Sequence, residues 1–143
     1  MTYELKENIL DAKTFIELRE SAKWGGSPPK NQIEIALNNS LVTISAVYEG
    51  KIIGMGRLVG DGLYVCYVQD LIVFPAYQGK GIGKAILDRL IHHVKSTGFT
   101  DTFVTLGLFS AKGKEGFYTK FGFVERPNEN RGAGMELIIK TPG

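Results

Sequence analysis

The stretch Gln78-Gly79-Lys80-Gly81-Ile82-Gly83-Lys84 constrains this chain more than any other. A β-rich run stops at Pro75 just before it. An amphipathic segment follows, in which Ile82, Ile86, Leu90 and Val94 recur every four residues. Three alternate glycines therefore sit between a strand and the first turn of a helix. The first N–H groups of a helix have no intrahelical acceptor, and the helix dipole concentrates partial positive charge there. Glycine also removes the Cβ atoms that hold a ligand away from the backbone. The combination reads as an anion cradle for phosphate or pyrophosphate, with Lys80 and Lys84 at its rim. The bland alternative, a tight turn and nothing more, leaves the strand–turn–helix context unused.

Composition narrows the rest. With 143 residues the chain is long enough for one sizeable core and too short for two. An apolar share of 43% and a charged share of 22% exclude disorder and fibrous repeats. Glycine contributes 18 residues without a collagen-like period, so it punctuates turns or admits a ligand. A net charge of +2 is too small to predict a nucleic acid or an anionic membrane as partner. The single Cys66 excludes an intramolecular disulfide framework and a Cys-rich metal site, and suits a reducing cytoplasm. The first residues, Met1-Thr2-Tyr3-Glu4-Leu5-Lys6-Glu7, lack the apolar core of a secretory signal, and no apolar run is long enough to span a bilayer.

The hydrophobic pattern orders the elements. Residues 2–8 alternate as an edge strand. Asp11 is placed as N-cap of a helix carrying Phe15, Ile16, Leu18 and Ala22, stopped by Trp24-Gly25-Gly26. Ser27 caps a second helix with Pro28 and Pro29 in its first turn, Ile33, Ala36 and Leu37 on its face, and Asn38-Asn39-Ser40 at its end. Strands follow at 42–48 and 51–59 around the turn Glu49-Gly50, then at 63–73 after Gly60-Asp61-Gly62. The long helix after the glycine turn ends at Gly98 as a C′ residue. A strand at 102–108, a short helix at 114–121 and a strand pair at 123–125 and 135–139 complete the chain. Such an order predicts a mixed α/β domain, neither all-parallel nor an antiparallel sandwich.

Phosphate motifs can be tested one by one. A P-loop needs Ser or Thr after Gly-Lys, but Ala85 follows Gly83-Lys84, and Gln78 stands where its first glycine belongs. The dinucleotide fingerprint finds Gly79 and Gly81 but meets Lys84 in its third place, and parallel βαβ units are missing before it. A third pattern fits throughout. Gln78-Gly79-Lys80-Gly81-Ile82-Gly83 resembles the [QR]-x-x-G-x-[GA] signature of the GNAT superfamily of N-acetyltransferases. Gly116-Phe117-Tyr118-Thr119-Lys120-Phe121-Gly122-Phe123 is similar to that family's carboxy-terminal Tyr-x-x-x-Gly-Phe element. The resemblance covers the whole chain in element order, with Ser110-Ala111-Lys112 where many members carry an asparagine. It implies a single domain over residues 1–143, with a mainly antiparallel sheet, splayed central parallel strands and flanking helices. Trp24, Pro28-Pro29-Lys30, Ala36-Leu37-Asn38-Asn39-Ser40 and Gly54-Met55-Gly56-Arg57 also look like a subgroup of small bacterial and plastid-type members that includes serotonin-type amine acetyltransferases.

What the resemblance implies is acetyl transfer from acetyl-CoA (coenzyme A) to a primary amine, with no metal. That reaction needs an ordered thioester, a neutral amine, stabilisation of the developing oxyanion and a proton for the thiolate. Gln78, Gly79, Lys80, Gly81, Ile82, Gly83 and Lys84 would hold the pyrophosphate. The backbone of Leu71, Ile72 and Val73 would pair with the pantetheine arm, while the side chains of Ile72 and Val73 read as packing. Tyr118 aligns with the tyrosine that serves the thiolate; the alternative is that Phe117 and Tyr118 only pack their helix. A phenol near 10 is a weaker acid than a thiol near 8.5, so a hydrogen bond to the forming thiolate is the form this help would take. Asp70 is the first candidate for base or amine anchor, with Asp61 and Glu34 remoter, and a solvated surface carboxylate is the alternative for each.

Trp24 and Tyr64, with Tyr67 and Tyr77, are candidate acceptor walls and favour a small aryl or alkyl amine over a polycation. A plug of the adjoining core is the other reading of Trp24. His92 and His93 are adjacent on a helix, about 100° apart, and cannot form an i, i+4 metal pair. Two other functions stay open: acetylation of a protein amino group, and a CoA-binding module without turnover. The resemblance also allows a homodimer through carboxy-terminal strands.

Overall fold

Alternation of small and β-branched residues builds the middle of the sheet, and several turns fall at glycines with positive φ. In the computed structural model, which describes residues 1–142, the strands are β1 (Glu4–Glu7), β2 (Val42–Tyr48), β3 (Lys51–Gly60), β4 (Val65–Val73) and β5 (Thr105–Gly107). They form one sheet in the order β1-β2-β3-β4-β5. The first three pairings are antiparallel and β4 runs parallel to β5. Glu49 and Gly50 close the β2–β3 hairpin with φ of 49° and 75°, the two-residue geometry that matches strand twist.

Two layers cover this sheet. On one side, α1 (Ala12–Ser21) and α2 (Lys30–Asn38) bring Phe15, Leu18 and Ile33 onto Met55 and Ile72. On the other, α3 (Ile82–Thr97) buries Ile82, Ile86, Leu87, Leu90 and Val94 against β2, β3 and β4. Each fully buried aliphatic side chain of this kind contributes about 1.5–3 kcal/mol. The approach of α3 is close. A Cβ on Gly56 would stand 2.6 Å from Ile86 Cγ2 and 2.9 Å from Leu90 Cδ1, so only glycine fits beneath the helix there.

The chain forms two compact units, Met1–Leu108 and one that begins at Phe109. The second contains α4 (Glu115–Thr119) and an aromatic cluster in which Phe117 lies 5.1 Å from Tyr118 and 5.5 Å from Phe121, between ring centroids.

The edge strand, both amino-terminal helices, the hairpin and the long helix lie where the hydrophobic pattern expects them. Four expectations need correction. Ser27 does not cap α2, because Pro28 precedes another proline and is kept out of helical backbone; Pro29 is the N-cap and has no side-chain capping bond. Gly98 is extended at φ −77°, not left-handed. The strand pair at 123–125 and 135–139 is not formed: Met135, Leu137, Ile138 and Ile139 are exposed and carry no ladder. An apolar run becomes a strand only where a partner edge and a covering layer exist. For the same reason the parallel pair β4–β5 lies at the end of this sheet instead of its centre.

Asp11 caps α1 as expected, its Oδ1 accepting from Thr14 N–H at 2.7 Å. That backbone bond holds the Asp11 carboxyl below its usual 3.8. Asp11→Ala should lower stability by about 1 kcal/mol at neutral pH. A depressed carboxyl contributes above its unfolded value and loses the contribution as pH falls through the folded one. The difference in Tm between wild type and variant should therefore be full above pH 4 and shrink in more acidic buffer. A gap that persists unchanged at pH 2 would contradict this.

Candidate active site

The glycine turn has the features an anion site requires. Gly79 and Gly81 adopt φ of 77° and 80°, a left-handed backbone natural only to glycine. A Cβ built on either meets nothing within 4 Å, so the space over the turn is open. Gly81 is the N-cap of α3 and supplies no side chain to the helix's first N–H groups. Ile82 is buried and anchors the helix, Gly83 lies in its first turn, and Lys80 and Lys84 are exposed at the rim. Gln78 also braces the turn. Its Nε2 donates to Val73 O at 2.9 Å, tying the turn to the end of β4.

β4 is irregular where it approaches this turn. Met55 pairs with Ile72 and Arg57 with Gln69, so Gly56 alone faces Asp70 and Leu71. This is a β-bulge, and Asp70 within it has φ of 61°. Left-handed backbone costs an ordinary residue about 1–2 kcal/mol, and Asp is among those that tolerate it best. Beyond Tyr67 no residue of β4 pairs with β5. Leu71, Ile72 and Val73 thus have β3 on one side and, among the described residues, no strand on the other. The side chains of Ile72 and Val73 pack as expected, Ile72 with Met55 and Phe15 and Val73 toward Gly54, and Leu71 points toward Gly56.

Asp70 is not an open carboxylate. It is 5% exposed, and Oδ1 accepts from Arg19 Nη1 at 3.0 Å while Oδ2 accepts from Arg57 Nη1 at 3.1 Å. Arg57 Nε also donates to Ser40 Oγ at 2.8 Å. Arg19 lies 5.8 Å from the centroid of the Trp24 ring, which is 43% exposed. Both oxygens of Asp70, the candidate base or amine anchor, are thus engaged by guanidinium groups inside the structure. Asp61 is committed elsewhere: the N–H groups of Tyr64, Leu63 and Val65 hold its carboxyl below the usual range. Glu34 is exposed on α2.

Trp24 and Tyr64 are not brought together. Trp24 reaches the middle of β4 through Arg19, whereas Tyr64 precedes the first residue of β4, roughly 20 Å of extended chain from Asp70. There Tyr64 meets Phe103 edge-on at 6.3 Å. Tyr118 is half-buried on α4, 5.9 Å from Phe123 between ring centroids. Burial pushes the Cys66 thiol up, consistent with a packing residue. Sequence reasoning missed Arg19, and it singled out Arg57 and Ser40 only for a subgroup likeness, without a role. Their signal was present, since Arg19 follows Phe15 by four residues on the apolar stripe of α1.

A mixed sheet whose fourth strand leads into a bare glycine turn and a long helix defines the class. The Acetyltransferase (GNAT) family model matches residues 9–123, and the chain belongs to that family. Among its relatives is an uncharacterized N-acetyltransferase, ycf52, of Pyropia yezoensis, 29% identical over 81% of this chain and 66% of that protein. Another is serotonin N-acetyltransferase 2, chloroplastic, of Oryza sativa subsp. japonica, 31% identical over 58% of this chain and 40% of that protein. The chain thus spans less than two thirds of either relative. A GNAT family acetyltransferase of Streptococcus pneumoniae superposes with a TM-score of 0.79 at 28% identity, covering 98% of this chain and 100% of that one.

Proteins of this family use acetyl-CoA, and the open backbone of the turn suits its pyrophosphate. Gly81→Asp would set a carboxylate against the helix N-terminus and strain a left-handed position. The folded variant should bind acetyl-CoA at least tenfold more weakly by calorimetry. Unchanged affinity would remove the turn from the site.

Proposed function

We propose that the chain is an acetyl-CoA-dependent N-acetyltransferase acting on a small primary amine, with an arylalkylamine as the favoured acceptor. The observation that carries the reading is the bare, left-handed glycine turn capping α3, tied by Gln78 to the free edge of β4. Family membership over residues 9–123 supports residues 1–143 as one catalytic domain. The serotonin acetyltransferase relative and the half-exposed Trp24 ring support an aromatic acceptor.

In this reading the turn and the first N–H groups of α3 hold the pyrophosphate, and Lys80 and Lys84 add charge. The backbone of Leu71, Ile72 and Val73 takes the amides of the pantetheine arm. Acetyl-CoA supplies an activated acetyl group as its thioester. Trp24 orients the acceptor, and the family resemblance makes Tyr118 Oη the hydrogen-bond donor to the sulfur as the thiolate forms. The amine enters from the neutral fraction present at neutral pH, without a carboxylate base.

Thiol release measured over a panel of amines tests the class. An arylalkylamine should exceed a short alkylamine by about ten- to two-hundredfold in kcat/KM, the range that burial of a ring supplies. Trp24→Ala should erase most of that preference and leave acetyl-CoA affinity intact. A lysine peptide or polyamine as best acceptor would overturn the small-amine reading. Acetyl-CoA binding without turnover of any amine would leave a binding module.

Tyr118→Phe keeps the ring contacts with Phe117 and Phe123 and deletes the hydroxyl. kcat should fall about a hundredfold with little change in the KM for acetyl-CoA. A fall of less than about threefold would assign Tyr118 to packing.

A further inference from the structure

The buried ion pairs around Asp70 sit in the strand that the proposed site uses, yet proton transfer has no need of them. Asp70 occupies the left-handed position of the β4 bulge, opposite Gly56. Its two oxygens are held from two directions, by Arg19 of α1 and by Arg57 of β3. Arg57 is in turn fixed by Ser40, and Arg19 lies beneath Trp24. One carboxylate therefore fastens a backbone irregularity to two elements, with Ser40 just beyond α2 bracing one of the arginines. A bulge is a local choice of register, and a slip would turn the following residues toward the other face. The residues that follow are Leu71, Ile72 and Val73, whose edge away from β3, where Val73 O accepts from Gln78, is the proposed seat of the pantetheine arm.

We infer that Asp70 is a positioning residue: with Arg19 and Arg57 it locks the β4 bulge and so sets where the free edge of Leu71, Ile72 and Val73 meets the arm. This rests on the acetyl-CoA reading. It assigns Asp70 no proton. It also makes Arg57, which lies across the sheet from that edge's outer side, a determinant of donor binding. The bulge, not the glycine turn, is then what distinguishes the arm from the nucleotide.

The test compares Asp70→Asn, Arg57→Gln and Arg57→Lys with wild type. Calorimetry is run with acetyl-CoA and with adenosine 3′,5′-bisphosphate, which lacks the arm. Asp70→Asn and Arg57→Gln should each weaken acetyl-CoA at least tenfold and bind the bisphosphate as wild type does. Arg57→Lys, keeping the charge but losing the bond to Ser40, should fall between. The residual kcat/KM of Asp70→Asn should keep the acid limb of the wild-type pH profile. Asp11→Ala, which removes a cap at the end of α1 opposite to Arg19, should leave acetyl-CoA affinity unchanged, which separates positioning from general loss of stability.

Wild-type affinity in folded Asp70→Asn and Arg57→Gln overturns the inference and spares the acetyl-CoA reading. Loss of the acid limb in Asp70→Asn, with acetyl-CoA affinity intact, makes Asp70 a base and overturns it too. If Asp70→Asn does not fold, the Arg57 pair decides alone: selective loss of acetyl-CoA supports the lock, and equal affinity refutes it. Wild-type protein that fails to bind acetyl-CoA overturns both.

Discussion

Gly56 is the point at which α3 meets the sheet with no side chain between them. Ile86 and Leu90 of α3 occupy the space its side chain would fill, and the bulge at Asp70 and Leu71 stands opposite it across the β3–β4 ladder. One residue without a Cβ thus permits the close seating of the helix that carries the glycine turn. It lies beside the irregularity that shapes the strand leading to that turn. The aliphatic face of α3 provides the energy; the glycine decides how near the helix comes. A small displacement there would move the helix N-terminus and β4 together, because Gln78 ties Val73 to the turn.

The elements that were legible in the sequence are those governed by a single local rule. The four-residue period of α3, the Asp11 cap, the Glu49-Gly50 turn and the bare turn at Gly79 and Gly81 each follow from side-chain chemistry within a few residues. What was not legible depends on contacts far apart in the chain. Asp70 and Arg19 are 51 residues apart, and nothing near Asp70 announces that its carboxylate is already engaged. Read locally, an acid three residues before the end of a strand that leads into a glycine turn looks like a base. Tyr64 is ambiguous in the same way, since an aromatic residue before a strand can lie at either end of a cleft. The apolar run at 135–139 has strand composition but no layer over it among the described residues.

A charge census of buried positions would have found the ion pairs. Arg19 interrupts the apolar stripe of α1, Arg57 interrupts the apolar run that follows Lys51 in β3, and Asp70 interrupts β4. Charges at inward positions must be paired, because burying one alone costs several kcal/mol. Two cations and one anion leave a positive excess, eased by the hydroxyl of Ser40 and the face of the Trp24 ring. A buried pair of this kind is weak evidence for stability, since well-packed apolar residues often do as well. It is better evidence for specifying one register over another, and β4 is a strand in which register matters.

Trp24 follows from the same arrangement. A ring that is 43% exposed would ordinarily be free to sample rotamers in a glycine-rich loop, with Gly25 and Gly26 beside it. Stacking against Arg19 restricts it, and Arg19 is itself fixed by Asp70. The proposed acceptor wall and the proposed donor edge therefore rest on one carboxylate, from opposite sides. Such sharing limits how independently the two can vary. A substitution that reshapes the loop to suit another amine, and draws Arg19 with it, would also disturb the bulge. Replacement of Trp24 alone leaves Arg19 on Asp70 and touches acceptor choice only.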